Sequence, residues 1–280
     1  MNLPPWHLHL DVWLVLGSVV AAYLLAVRRH DRERPAGEEA TEPRKVRLFL
    51  LGMGVLWLGA DWPVHDLAES YLFTMHMVQH TLFTLVAAPI LIAGMPAWML
   101  RKLLRPRAVR RLWAFLTRPV PALVFFNAML FFTHWPAVVE AAVTSEPTHF
   151  VLHALLVGSA VVMWWPVVSS LPEMPALPAP GQMLYLFLQS LAPTIPASFL
   201  TFGTHALYPV YASFPRIWGM GVLTDQLVAG LMMKIVGGLI LWGVIAVVFF
   251  RWGERERRDG WDALRYTNVE REIRAEMTRR

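Results

Sequence analysis

Residues 223–250 read LTDQLVAGLMMKIVGGLILWGVIAVVFF, a stretch in which only Asp225 and Lys234 are charged. A helix needs about 20 mostly apolar residues to cross the hydrocarbon core of a bilayer, so this stretch predicts a membrane span. The whole chain has the same character, because 56% of its 280 residues are hydrophobic and only 16% are charged. Soluble domains have roughly 45–50% apolar and about 25% charged residues. The composition therefore indicates a protein with several membrane spans.

Hydropathy windows of span length predict an all-α bundle of seven transmembrane helices. Their expected limits are residues 9–28, 46–64, 70–99, 119–138, 148–169, 182–203 and 223–250. On this count the domain organisation is a membrane domain over residues 1–250 and a basic tail over residues 251–280.

The Lys and Arg residues predict the orientation, because basic residues concentrate in cytoplasmic loops. Of the 25 such residues, 23 lie in the 28–47 connection, the 101–118 connection and the segment after Phe250. We therefore expect the N-terminus outside and the C-terminus, with its basic tail, in the cytoplasm. The 170–181 connection has no Lys or Arg, and only the span count assigns it to the cytoplasm.

The chain contains no cysteine. This excludes disulfides, thiolate zinc sites, c-type haem attachment and a cysteine nucleophile, so a metal would be bound by His, Met or carboxylate groups. The net charge of +5 follows from the cytoplasmic arginines, and we expect no nucleic-acid partner. Neither a nucleophile with its base nor a phosphate-binding loop is recognisable, so we expect a protein that is not an enzyme.

Histidines supply the main functional signal, because nine of the ten map to the outer half of the predicted bundle and only His30 lies inside. Two pairs are spaced four residues apart, which places both rings of a pair on one helix face. Two further histidines end the second and fourth spans on the same side. The predicted metal-binding residues are therefore His76, His80, His149, His153, His65 and His134. The alternative is that these rings only hydrogen-bond neighbouring helices.

The neighbouring residues favour copper. Imidazole binds copper, zinc, iron and nickel, whereas a thioether such as that of Met77 favours Cu(I). Acidic residues on the outer side, among them Asp66 and Asp225, would attract cations. Asp225 also begins the last span, where a carboxylate complements the helix dipole. The alternative for the acids is that the distribution of basic residues merely leaves them outside.

Lys234 lies roughly 17 Å into the last span, where a lysine costs about 2.5–3.5 kcal/mol on insertion scales. Pro193 and Pro196 in the sixth span leave carbonyls without their helical donors, and we expect these carbonyls to receive the ammonium. Its role, functional or structural, stays open. A retinal-binding protein is disfavoured because no acid lies one turn from Lys234.

Several stretches resemble the CtaG-type assembly factors of caa(3)-type cytochrome c oxidase. They are His65-Asp66, the run Tyr71 to His80 with Ala87 to Leu91, Thr133 to Pro136, His149 to His153, Trp164 to Pro166, and Asp225-Gln226 with Gly230 to Lys234. The resemblance covers most of residues 46–250. It implies a multi-pass protein of a bacterial plasma membrane that serves the maturation of a haem-copper oxidase, with oxidase subunits and the lipid bilayer as partners.

Together the residues and the resemblance predict a copper-binding assembly factor, with zinc as a possible surrogate and a copper donor protein as a possible further partner. The alternatives are a purely structural scaffold for oxidase subunits, an intramembrane metalloenzyme or haem protein, and a metal or proton transporter. Transport is disfavoured because Thr84 is the only polar residue between Leu82 and Met99 in the third span.

Overall fold

The apolar stretches form helices. The computed structural model describes residues 4–35 and 39–279, and within these ranges it contains no β-strand. The α-helices are α1 (Leu10–Glu33), α2 (Pro43–Ala60), α3 (Val64–Ser70), α4 (Phe73–Thr81), α5 (Ala88–Gly94), α6 (Ala97–Leu103), α7 (Arg107–Leu116), α8 (Pro119–Thr133), α9 (Pro136–Thr144), α10 (Glu146–Val168), α11 (Ala179–Leu191), α12 (Thr194–Phe202), α13 (Val222–Leu231) and α14 (Gly237–Arg279). Two π-helical segments, Leu82–Ala87 and Met232–Val236, and a 3-10 turn, Pro209–Ala212, complete the described helices.

Six segments are long and apolar enough to cross a membrane. They are Leu10–Glu33, Pro43–Ser70, Phe73–Gly94, Glu146–Val168, Ala179–Phe202 and Val222–Arg258. The span expected at 119–138 is shorter than predicted, because α8 ends at Thr133 and a new helix begins at Pro136. A proline disfavours helical geometry in the residue before it. Helix α8 and the preceding α7 meet at a bend of 84°, and counting this bent pair as one span gives seven candidate spans instead of six.

The expected third span, 70–99, is too long at both ends. The chain is extended at Leu72, so the helix begins at Phe73, and it ends at Gly94 because Met95 precedes Pro96 and is extended. Between α4 and α5 the helix widens into the π-helical segment Leu82–Ala87. Pro89 follows this segment and has no N–H to donate to the preceding turn. The third span is therefore two short α-helices joined by a π-helical segment.

The last span has the same construction, with α13 and α14 joined by the π-helical segment Met232–Val236. Helix α14 continues to Arg279, so no helix boundary separates the membrane span from the basic tail at residue 250. Such π-helical insertions occur frequently at functional sites. Leu82–Ala87 lies midway along the candidate span Phe73–Gly94, and Met232–Val236 lies in the first half of the candidate span Val222–Arg258.

The third span is the centre of the bundle, and the first span is peripheral. About 56% of the third span is buried against other residues, compared with 11% of the first span. The first span is attached through Tyr23, whose ring stacks on Phe49 at 3.7 Å and whose hydroxyl donates to the Gly94 carbonyl at 2.9 Å. A Cβ atom at Gly94 would lie 2.4 Å from the Phe49 nitrogen, so only glycine allows the second and third spans to pack this closely. The outward-facing apolar side chains remain free to contact lipid.

The connection between α12 and α13 packs over the outer ends of the helices. Tyr208 and Tyr211 are buried there and donate hydrogen bonds to the carbonyls of His134 and Ala68. Burial raises the pKa of both phenols, so they remain protonated donors at neutral pH. This connection therefore ties together the helix ends from which the histidines project.

Candidate metal site

Helix α4 carries His76 and His80, and its first turn is anchored by a residue from another span. The carboxylate of Asp225, in α13, accepts hydrogen bonds from the backbone N–H groups of Phe73 at 2.9 Å and Thr74 at 2.8 Å. Both groups are first-turn donors that have no partner within their own helix. The sequence indicated that Asp225 complements its own helix dipole, and the structure shows that it caps α4 as well.

Helix α10 brings His149 and His153 against α4. The ring centroid of His153 lies 5.7 Å from that of His76 and 5.3 Å from that of His80. The residues His76, His80 and His153, here called the inner trio, offer three ring nitrogens that lie within 4.8 Å of one another. A small cavity of about 10 Å³ borders the same three rings and His149. The rings of the two predicted pairs therefore lie next to one another, which the spacing within each pair could not show.

Each ring of the inner trio has a nitrogen that is buried and has no hydrogen-bond partner among the described residues. These atoms are Nδ1 of His76, Nδ1 of His80 and Nε2 of His153. Buried polar side-chain atoms in proteins are nearly always paired, so three unpaired nitrogens in one cluster require an explanation. A metal ion bound by the three rings is one such explanation, because imidazole nitrogens are metal ligands.

A second group, outside the trio, consists of His65, Glu69 and His149, which also offer ligand atoms within 4.8 Å of one another. Glu69 was not among the predicted site residues. Its signal was available in the sequence, because Glu69 follows His65 by four residues. The carboxylate contacts Nε2 of His65 at 3.5 Å and Nδ1 of His149.

Gln79 determines the proton positions in this second group. Its side-chain nitrogen donates to the Gly59 carbonyl at 2.9 Å, which can only accept, and the same NH₂ group lies 3.2 Å from Nδ1 of His65. Nδ1 of His65 is therefore an acceptor, and the neutral ring carries its proton on Nε2, facing Glu69. His65 thus has no free lone pair for a metal ion.

The same argument extends through His149 to the trio. Nδ1 of His149 contacts the Glu69 carboxylate. Because an ionised carboxylate can only accept, we assign the proton of the neutral ring to Nδ1, which leaves Nε2 of His149 as an acceptor. This Nε2 lies 2.9 Å from Nδ1 of His153, so His153 is the donor and carries its lone pair on Nε2. Nε2 is the unpaired atom of His153 described above. The chain Glu69, His149, His153 is therefore an arrangement in which outer residues orient a metal-binding imidazole.

His134 borders the trio from the end of α8. Its ring centroid lies 5.5 Å from that of His80, and its Nδ1 donates to the Leu130 carbonyl at 2.7 Å. Nε2 of His134 is then an acceptor, and it is buried without a partner among the described residues. His134 is thus suited to complete a coordination shell begun by the trio.

Asp66 lies outside this group. Its carboxylate contacts His7 at 3.2 Å and His9 at 3.0 Å, near the N-terminus. The ring of His9 lies 4.6 Å from that of His65. Histidines therefore continue from the exposed N-terminal segment to the second group.

A larger cavity of about 60 Å³ lies on the membrane-interior side of the trio. Its walls include His80, His134 and the predicted residues Met77 and Lys234, and both π-helical segments contribute to them. The expectation that Lys234 reaches carbonyls freed by the sixth-span prolines is wrong, because no hydrogen bond or ion pair joins its ammonium to any residue in the described ranges. Pro193 lines the same cavity but does not receive the ammonium.

The model of the family described as cytochrome c oxidase caa3 assembly factor (Caa3_CtaG) matches residues 21–255. This chain belongs to the Caa3_CtaG family. A search of curated proteins and a search of solved structures gave no significant match. The family match confirms the resemblance and includes all six predicted histidines, while His7 and His9 precede it. Membership of Caa3_CtaG indicates a membrane protein that serves the assembly of cytochrome c oxidase.

Proposed function

We propose that this Caa3_CtaG protein takes up a copper ion as cargo in the inner trio and assists its insertion into cytochrome c oxidase. The supporting observations are that the three rings each offer a nitrogen within 4.8 Å of the others, and that each ring has a buried nitrogen without a partner among the described residues. Imidazole ligands with the thioether of Met77 nearby suit copper, and three imidazoles would also bind zinc as a surrogate. The protein performs no covalent chemistry in this proposal.

The histidines have different roles in this proposal. His76 and His80 present their nitrogens from the capped helix α4, and His153 is held in the binding tautomer by His149 and Glu69. His134 completes the shell or receives the ion during transfer. Transfer to an oxidase subunit would occur by ligand exchange, in which ligands of the subunit replace the histidines of the trio one at a time.

The proposal places the site on the outer side of a bacterial plasma membrane, with the C-terminal tail in the cytoplasm. The arrangement of basic residues supports this orientation. The ion pair between Arg101 and Glu173, at 2.8 Å, also supports it, because it joins the 101–118 connection to the 170–181 connection. The 170–181 connection, which has no Lys or Arg, is thus on the same side of the bundle as the basic 101–118 connection. A copper donor protein and the oxidase subunits would then approach from outside.

The deciding experiment is the metal content and copper-binding stoichiometry of the detergent-purified protein, under oxidising and reducing conditions. The test variant carries His76→Ala and His80→Ala. The control carries His205→Ala, which removes an exposed histidine that is not part of the trio. We expect one copper ion per chain in the natural protein and in the control, and none in the double variant.

Absence of binding in all three proteins would refute copper handling. It would leave the scaffold for oxidase subunits, in which the histidines only connect helices. Binding together with copper uptake into sealed vesicles would instead indicate a transporter.

A further inference from the structure

Three imidazoles do not by themselves select the charge of the ion. The same ligand set binds Zn²⁺ in enzymes, and imidazole accepts copper in either oxidation state. A property of the surroundings must therefore distinguish a monovalent cargo from a divalent one. Fixed charges near the site are the first candidate, because their interaction with an ion is proportional to the ion's charge.

Lys234 is such a charge. It shares the cavity of about 60 Å³ with His80 of the trio and with His134. No acceptor in the described ranges pairs with its ammonium, so its field is not cancelled by a direct partner. The Lys234 side chain is exposed at the surface of the bundle, but its place within the last candidate span puts it among lipid, where salt screens charges less than in water. An ion bound at His80 therefore experiences a positive charge across the cavity.

Two acids of the outer half that contact the site, Glu69 and Asp225, have partners of their own. Glu69 faces the trio from the opposite side, through His149 and His153, and is bonded to two histidines. Asp225 caps α4 and lies 3.7 Å from Arg216, which offsets its charge. Among these groups, only Lys234 shares the open cavity with a trio ligand.

We propose that Lys234 is the residue that sets the charge selectivity of the inner trio, by opposing divalent ions more strongly than monovalent ones. The trio then accepts Cu(I) in preference to Cu(II) or Zn²⁺. This inference rests on the proposed metal binding at the trio. It gives Lys234 a role that does not require contact with the ion.

The test compares Ag⁺, as a stable monovalent probe for Cu(I), with Zn²⁺ on the full-length protein in detergent. Affinities are measured for the natural protein, for Lys234→Gln and Lys234→Met, which remove the charge, and for Lys234→Arg, which keeps it. The repulsion energy between Lys234 and the ion is twice as large for Zn²⁺ as for Ag⁺. Removing the charge should therefore raise the Zn²⁺ affinity by the square of the factor by which it raises the Ag⁺ affinity. We expect gains of about 3-fold for Ag⁺ and about 10-fold for Zn²⁺ in both neutral variants. Lys234→Arg should remain near the natural values.

Each other outcome has a distinct meaning. Equal changes for the two ions, or the same gain in Lys234→Arg, would overturn the charge mechanism while leaving the trio as a metal site. If the natural protein binds neither ion more tightly than the His76→Ala/His80→Ala variant, the proposed function itself fails. Using both Gln and Met separates a charge effect from misfolding, because misfolding would lower both affinities.

Discussion

At the scale of single residues, the site depends on which ring nitrogens hold protons. Gln79 is completely buried, and its NH₂ group is oriented by the Gly59 carbonyl. This orientation makes Nδ1 of His65 a hydrogen-bond acceptor. The group of His65, Glu69 and His149, although its atoms are close enough for a metal ion, is therefore a hydrogen-bonded network. The inner trio is left with free lone pairs. The two groups have similar spacing. The orientation of the Gln79 side-chain amide decides that only the inner trio has free lone pairs for a metal ion.

This assignment makes His149 and His153 unequal, although they belong to the same sequence pair. We expect His149→Ala to weaken copper binding by about 10–100-fold, because it removes an orienting residue. His153→Ala should weaken it further, because it removes a ligand. Competition titration with a copper chelator measures both, with His205→Ala as the control. A larger loss for His149→Ala than for His153→Ala would make His149 a ligand and refute the proton assignment.

At the scale of helices, the site requires that α4 begin at Phe73. Asp225 is buried, with 1% of its surface exposed, and caps this helix across the bundle. Arg216 supports the same corner by donating to the Tyr71 carbonyl at 3.2 Å. The outer connection, α13 and α4 therefore meet at a single carboxylate.

We expect Asp225→Ala to lower the stability of the protein by about 1–3 kcal/mol, because two buried N–H groups lose their acceptor. The midpoint of thermal unfolding in detergent should fall, and copper affinity should fall with it, because α4 carries two trio residues. Asp11→Ala is the matched control, since Asp11 is an exposed acid in the first turn of α1. An unchanged unfolding midpoint in Asp225→Ala would show that the cap does not hold the helix.

At the scale of the whole molecule, the histidine network forms one end of the bundle. The inner half around Trp164 is an apolar core, and the Trp164 indole donates to the Thr84 carbonyl beneath the trio. Polar residues from several spans line the cavity next to the trio, so the polar region extends further than the third span alone suggested. Lys234 also lines this cavity.

The orientation of the bundle can be tested directly because the natural chain has no cysteine. We expect Ser213→Cys, in the outer connection, to react with a membrane-impermeant maleimide in intact cells, while Arg105→Cys reacts only after lysis. Both positions are exposed, so reactivity reports the side of the membrane. The reverse labelling pattern would place the trio on the cytoplasmic side and exclude delivery from outside.

The helical class, the approximate spans and the two histidine pairs followed from the sequence alone, because hydropathy and the spacing of four residues are properties of a single helix. Breaks within spans were missed, since a π-helical segment and an early helix end depend on local backbone geometry around Pro89 and Pro96. Glu69 was missed as a site residue because its function depends on a contact with α10. The role of Asp225 as a cap of α4, the proton on His65 and the unpaired state of Lys234 were decided only by the tertiary structure. Each of these depends on atoms from spans that are distant in the chain, and helix packing alone brings those atoms within hydrogen-bonding distance or, at Lys234, keeps them apart.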